Sequence, residues 1–232
     1  MKTQTVKKLF VNLSCMQAFV SPIILSFLLF FFNSCKKETS VDVKQGAALK
    51  GSSIIYTDVN PDSTIICITT TNSTKVDKSY SLDLNNDGIA DFVLLVECHR
   101  SGRCITEYQN FVQASAVIGS SNQVEIVNSY AGALDTLAVI NGSSSTWADD
   151  GVLEEFNDQW DMCNYRQGTS SIAGNWINGS VKYLALKLTK GSSTYYGWAR
   201  LSLFVTTESR LTILDYAYNS SPNQPILAGQ TK

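Results

Sequence analysis

The chain reads as all-β, a β-sandwich or jelly-roll-like single domain following an N-terminal export signal. Three observations carry this reading. Short runs rich in Ile, Val, Thr, Tyr and Phe alternate with polar residues, the two-residue period of a half-buried strand. Clusters of Gly, Asn, Asp and Ser recur between those runs. One segment only, residues 149–160, looks helical, with acids near its start and a poor apolar pattern.

Residues 53–57 open the domain as a strand, followed by an expected turn at residues 58–62. Residues 64–70 are rich in Ile and Thr and suit a pleated surface. Tyr80 to Leu84 alternates cleanly. Residues 92–96 form a continuous apolar run, as expected of a strand buried on both faces. Weaker strands are expected at residues 112–118, 124–127 and 136–140, with turns at 119–122 and 141–145. Residues 175–179 are a further turn. The clearest strands are residues 181–188, 195–204 and 211–218, with Gly191-Ser192-Ser193 as the hairpin tip between the first two. In the first of these, Leu184, Leu186 and Leu188 make one apolar face. The other face carries Val181, Tyr183, Ala185 and Lys187 and is mixed. Regularly spaced short strands imply a sandwich or jelly roll.

The N-terminus has the order of a secretory signal. Lys2, Lys7 and Lys8 precede an apolar core that is densest from Ile23 to Phe32. That core is short for a membrane span of roughly 20 apolar residues. It ends in Asn33-Ser34-Cys35-Lys36-Lys37-Glu38, and a small residue followed by Cys resembles a lipobox. The Ser-Cys-Lys-Lys-Glu run resembles lipoproteins of the Bacteroidetes group, which implies cleavage after residue 34 and acylation of Cys35. Phe32 and Asn33 depart from the strict lipobox pattern. The expected organisation is a signal at 1–34, a flexible tether at 35–51 and a β domain at 52–232. The expected location is the outer membrane or cell surface, with the membrane as partner through the lipid anchor. An uncleaved N-terminal anchor would leave the same residues outside the inner membrane.

Removing the signal takes away three lysines and no acids, so the formal charge goes from −2 to −5. Nucleic acid, which needs a basic face, is excluded as a partner. Cys67, Cys98, Cys104 and Cys163 remain as an even set suited to disulfides in an oxidising compartment. Three pairings are open. The five residues between Cys98 and Cys104 read as a hairpin tip, which favours Cys98–Cys104 and leaves Cys67–Cys163 to close a long loop. Zinc is the alternative, but the chain lacks a Cys-x-x-Cys pair and has one histidine.

One segment carries a chemical motif. Asp83-Leu84-Asn85-Asn86-Asp87-Gly88-Ile89-Ala90-Asp91 places side-chain oxygens at positions 1, 3, 5 and 9 and glycine at position 6, the front of a calcium loop. Calcium takes six to eight oxygens at about 2.3–2.6 Å, and alternate residues of a tight loop converge on one point. The carbonyl of Ile89 at position 7 is a further ligand. Position 12 is Leu94 where an EF-hand has Glu, and the flanks are strands, so the loop resembles those of dockerins and adhesins. Asp58, Asn60 and Asp62 repeat the spacing and are candidates for the missing oxygens, with Asp77 a weaker one. A structural calcium is expected rather than a catalytic one.

Other residues weigh less. His99 is the sole histidine, and no Gly-x-Ser-x-Gly motif accompanies it. Glu154, Glu155, Asp158 and Asp161 offer carboxylate pairs of the kind glycoside hydrolysis uses, though a solvated acidic surface explains them as well. Trp198 lies in a strong strand and reads as core. Trp147, Trp160 and Trp176 lie in loop-like surroundings, where an exposed one would make a sugar platform.

Residues 195–202, 211–218 and 225–229, with Ile55 to Asp62 and Asp83 to Phe92, are similar in order and spacing to the exported domain of many PEP-CTERM proteins. This chain departs from them by ending at Lys232 without an apolar sorting helix. The resemblance implies export and a calcium-bearing β fold, not a reaction. The expected role is a non-enzymatic calcium-stabilised binding, adhesive or structural module with a glycan or protein ligand. A carbohydrate-active enzyme or glycan-binding module is the alternative.

Overall fold

The computed structural model describes residues 54–70, 74–143, 146–176 and 179–232. The expected signal at 1–34, Cys35 and the expected tether at 35–51 lie outside the described residues. Among the described residues fourteen strands run in chain order. The first seven are β1 (Ile54–Ile68), β2 (Thr74–Leu82), β3 (Phe92–Ser101), β4 (Ile105–Ala116), β5 (Gln123–Val127), β6 (Tyr130–Ala131) and β7 (Val139–Ile140). There follow β8 (Thr146–Ala148), β9 (Asp150–Asp161), β10 (Arg166–Gly174), β11 (Val181–Lys190), β12 (Ser193–Val205), β13 (Glu208–Asn219) and β14 (Ile226–Leu227). No described residue is helical. A seven-stranded sheet has the order β1-β13-β12-β11-β5-β6, with β8 also on β5. A five-stranded sheet has the order β10-β9-β4-β3-β2, and β14 pairs with β7 in a separate ribbon.

Alternation decides what packs where. Phe92, Leu94, Val96 and Cys98 point inward from β3, and Leu184, Leu186 and Leu188 point inward from β11. Both sets lie in one buried cluster with Leu201, Leu203, Leu211 and Ile213. The two sheets are therefore a sandwich, as the sequence predicts. The mixed face of β11 is not open to solvent throughout. Ala185, Tyr196, Trp198 and Ala217 form a second cluster with Ile140, Ile226 and Ala228, brought there by the β7–β14 ribbon and the segment after it.

Three expectations need correction. Residues 58–62 are not a turn between strands. β1 runs through them, and residues 59–62 bulge out opposite Leu214 of β13. Residues 149–160 are not helical, since β9 covers most of them. Between Val112 and Gln113 of β4 the register shifts, so that Val112 faces Glu154 and Gln113 faces Val152. The bulge at Leu153 reverses the strand's parity and places Leu153, Glu154 and Phe156 all in the buried interior. Leu153, Phe156 and Trp160 then stand at a helix-like spacing of three and four although the segment is extended. The third correction is the disulfide pairing, which is Cys67–Cys98 and Cys104–Cys163. β3 continues to Ser101, so Cys98 is not at the hairpin tip. It faces the interior, where Cys67 of β1 meets it from the other sheet, with Cα atoms 6.0 Å apart. Cys104, just before β4, joins Cys163 in the β9–β10 turn.

The two crosslinks span 31 and 59 residues, so chain entropy gives each a stabilisation of about 4 kcal/mol. Peptide mapping without reductant will recover the 67–98 and 104–163 pairs. A Cys67→Ala/Cys98→Ala variant will lose about 2–4 kcal/mol in urea titration, and an unchanged midpoint would show that the sheets need no crosslink.

Candidate metal centre

The Asp83–Asp91 segment joins β2 to β3 as a tight loop. Leu84 is fully buried and fixes it to the core, lying against Gly197 of β12 so closely that a Cβ there would stand 3.0 Å from it. Asn86 and Gly88 adopt left-handed backbone, φ 58° and 87°, a conformation Asn tolerates and Gly takes without penalty. Asp83 organises the turn by accepting from the backbone N–H of Asp87 at 3.1 Å and of Gly88 at 2.7 Å. Asp87 accepts from the N–H of Ile89 at 3.0 Å. Asp91 is buried and accepts from the Leu84 N–H and the Asn85 amide, both at 2.9 Å. Asn86 donates to the hydroxyl of Thr57 on β1.

A cation already stands at the mouth of this loop. The ammonium of Lys190, at the end of β11, donates to Asp87 Oδ2 at 2.6 Å and to Asn85 Oδ1 at 3.1 Å. That bond holds the Asp87 carboxyl below the usual carboxylate range and raises Lys190. Burial, reinforced by the charges of Asp83 and Asp87, pushes the Asp91 carboxyl up. Lys190 is absent from the sequence motif because its partners are about one hundred residues away; only the hairpin register places it here. Asn122, also unforeseen, is buried. It donates to the Asp91 carbonyl and accepts from the Thr189 N–H, tying the loop to the end of β11.

The donors fit calcium in kind, being carboxylate, amide and carbonyl oxygens. Among the described residues, however, no three acidic, histidine or cysteine side chains are gathered to hold one ion. Calcium would enter as Lys190 leaves Asn85 and Asp87, with Asp83, Asn85, Asp87, Asp91 and the Ile89 carbonyl as its oxygens. The structure does not add the other candidates. Asp58 is exposed and acts electrostatically on Tyr56, whose hydroxyl donates to Asp215, whereas Thr57, the next residue and of opposite strand parity, meets the loop. Asp62 is exposed within the β1 bulge. Asp77 lies with Lys75 on β2.

The enzymatic candidates are dispersed. His99 stands between Lys75 and Gln109 across the strands, with no hydroxyl or thiol nucleophile at either position. Glu155 accepts from Tyr130, and Asp161 caps its own turn. Glu154 and Asp158 share a face, but four strand residues separate them by about 13 Å. Glycosidase pairs lie at roughly 5–9.5 Å. Trp176 and Trp198 are buried and Trp147 is half-buried; Trp160 is 36% exposed. Comparison with family models, curated proteins and solved structures finds no match.

Glu154 is the buried acid that the β9 bulge carries inside. It is fully buried, both carboxyl oxygens lack a hydrogen-bond partner among the described residues, and burial pushes its pKa up to about 7. The native state thus favours the protonated form. Its contribution is full below the ordinary carboxylate value and is lost as pH rises through 7. Glu154→Gln will therefore flatten the pH dependence of unfolding and gain up to about 3 kcal/mol over the wild type by pH 8. A difference that does not change with pH would show that the carboxyl is solvated.

Proposed function

We propose that this chain is a non-enzymatic cell-envelope lipoprotein, exported and anchored through Cys35. In this reading it is a binding, adhesive or structural module stabilised by calcium in the Asp83–Asp91 loop. The observation that carries the reading is the loop itself, whose Asn85 and Asp87 oxygens turn outward onto a single cation while Leu84 fixes them to the core. The two disulfides suit an oxidising compartment. The similarity to the PEP-CTERM exported domain and the lipobox-like Ser34-Cys35 support export. The dispersal of His99 and the carboxylates favours a non-catalytic role.

The test is a thermal melt of the oxidised protein in millimolar calcium and then in excess EDTA. A ligand at one hundred times its dissociation constant raises stability by about 2.7 kcal/mol, and the upward shift will vanish in Asp87→Ala. Lys190→Ala removes the competing ammonium and will enlarge the calcium shift. A melt indifferent to calcium in both the wild type and Lys190→Ala would leave the loop as a turn closed by Lys190 alone.

A further inference from the structure

The inward face of the five-stranded sheet emerges from under its partner at the end opposite the Asp83–Asp91 loop. Along β9 the inward side chains pass from buried Phe156, through half-buried Asp158, to exposed Trp160. Beside them on β4 stand Thr106 and Tyr108, at register positions opposite Trp160 and Asp158, and Arg100 of β3 stands opposite Tyr108. With Met162 these residues line a hollow of about 210 Å³. The rim is fixed by Cys104–Cys163 and by the hydrogen bond from the Met162 N–H to the Cys104 carbonyl.

The chemistry of the lining selects a ligand. Trp160 and Met162, 36% and 47% exposed, offer an apolar platform. The guanidinium of Arg100 lies over the Tyr108 ring, 5.4 Å from its centroid, and donates from Nη1 to the Thr70 carbonyl. Its Nε has no partner among the described residues. At the floor, Thr106 is 1% exposed and its hydroxyl likewise has no partner among the described residues. A purely apolar ligand would strip water from Arg100 and Asp158 without replacing their hydrogen bonds. An anion would meet Asp158 and a cation Arg100. A pyranose has an apolar C–H face to lay on an indole and vicinal hydroxyls that accept from a guanidinium while donating to a carboxylate. The hollow is below the roughly 300–1,000 Å³ of sites for drug-sized ligands, so it suits one sugar ring of a longer chain.

We propose that this hollow is a carbohydrate-binding subsite for a neutral pyranose residue, with Trp160 as the stacking platform and Arg100 and Asp158 as the hydroxyl-reading pair. The proposal rests on the binding-module reading but not on calcium. β3 separates the two places by about 30 Å, counting its residues at the strand rise, so sugar binding persists in EDTA even where the calcium reading fails.

The experiment is titration of the oxidised full chain with methyl gluco-, galacto- and mannopyranoside and with β-1,4-linked trisaccharides of each, followed by Trp fluorescence and calorimetry. At least one sugar will bind in the millimolar range or tighter. Trp160→Ala and Asp158→Asn will each weaken it about tenfold or more, which is about 1.4 kcal/mol, in protein that still unfolds in a cooperative melt. Trp160→Phe will retain most of the binding, and Trp147→Phe, away from the hollow, will leave it intact. Absence of binding across the panel would overturn the proposal, as would binding that Trp160→Ala and Asp158→Asn leave unaltered.

Discussion

Leu184, Leu186 and Leu188 of β11 and Phe92, Leu94 and Val96 of β3 belong to one buried cluster, and the burial of that shared face holds the two sheets together. Each fully buried side chain of this kind contributes on the order of 1.5–3 kcal/mol relative to exposure. Cys67–Cys98 joins the sheets covalently at the same interface. The loop and the hollow are consequences of this packing. The Asp83–Asp91 loop is the link by which β2 turns into β3 at one end of the core. The hollow is where the five-stranded sheet outruns its cover at the other.

The fold class was legible because period-two alternation and turn chemistry agree along most of the chain. β11, β12 and β13 follow the predicted spans closely, and the mixed face of β11 is explained by the ribbon that partly covers it. Failures occur where the period breaks. The Leu153 bulge breaks the alternation of β9, so the segment lost the two-residue period that marks a strand. The β1 bulge gives residues 58–62 the composition of a turn, although the strand resumes its pairing with β13 at Ser63 in a shifted register. β10 carries Gly, Thr and Ser and few apolar residues, so it gave no alternation to read. The disulfide pairing failed for a related reason. Strand length, not cysteine spacing, decides whether Cys98 belongs to the tip or to the interior.

The candidate site was half legible. The motif marks Asp83, Asn85, Asp87 and Asp91, and the structure folds them into one loop. It cannot mark Lys190 or Asn122, which arrive through tertiary register. Lys190 alters the physical picture, since an ammonium and a calcium ion would compete for the same oxygens. The ammonium is about half exposed, and water screens a surface pair of this kind. In the proposed reading a divalent ion with several oxygen ligands displaces it. Trp160 was marked by its type, but its place on the inward face beside Tyr108 follows from the bulge that no local pattern revealed.

A crystal structure of the oxidised protein grown in millimolar calcium decides whether the Asp83–Asp91 loop holds an ion. The expected result is an ion with Asp83, Asn85, Asp87, Asp91 and the Ile89 carbonyl at about 2.3–2.6 Å, and Lys190 turned away from the loop. Lys190 still bound to Asp87, with no ion among these oxygens, would contradict it.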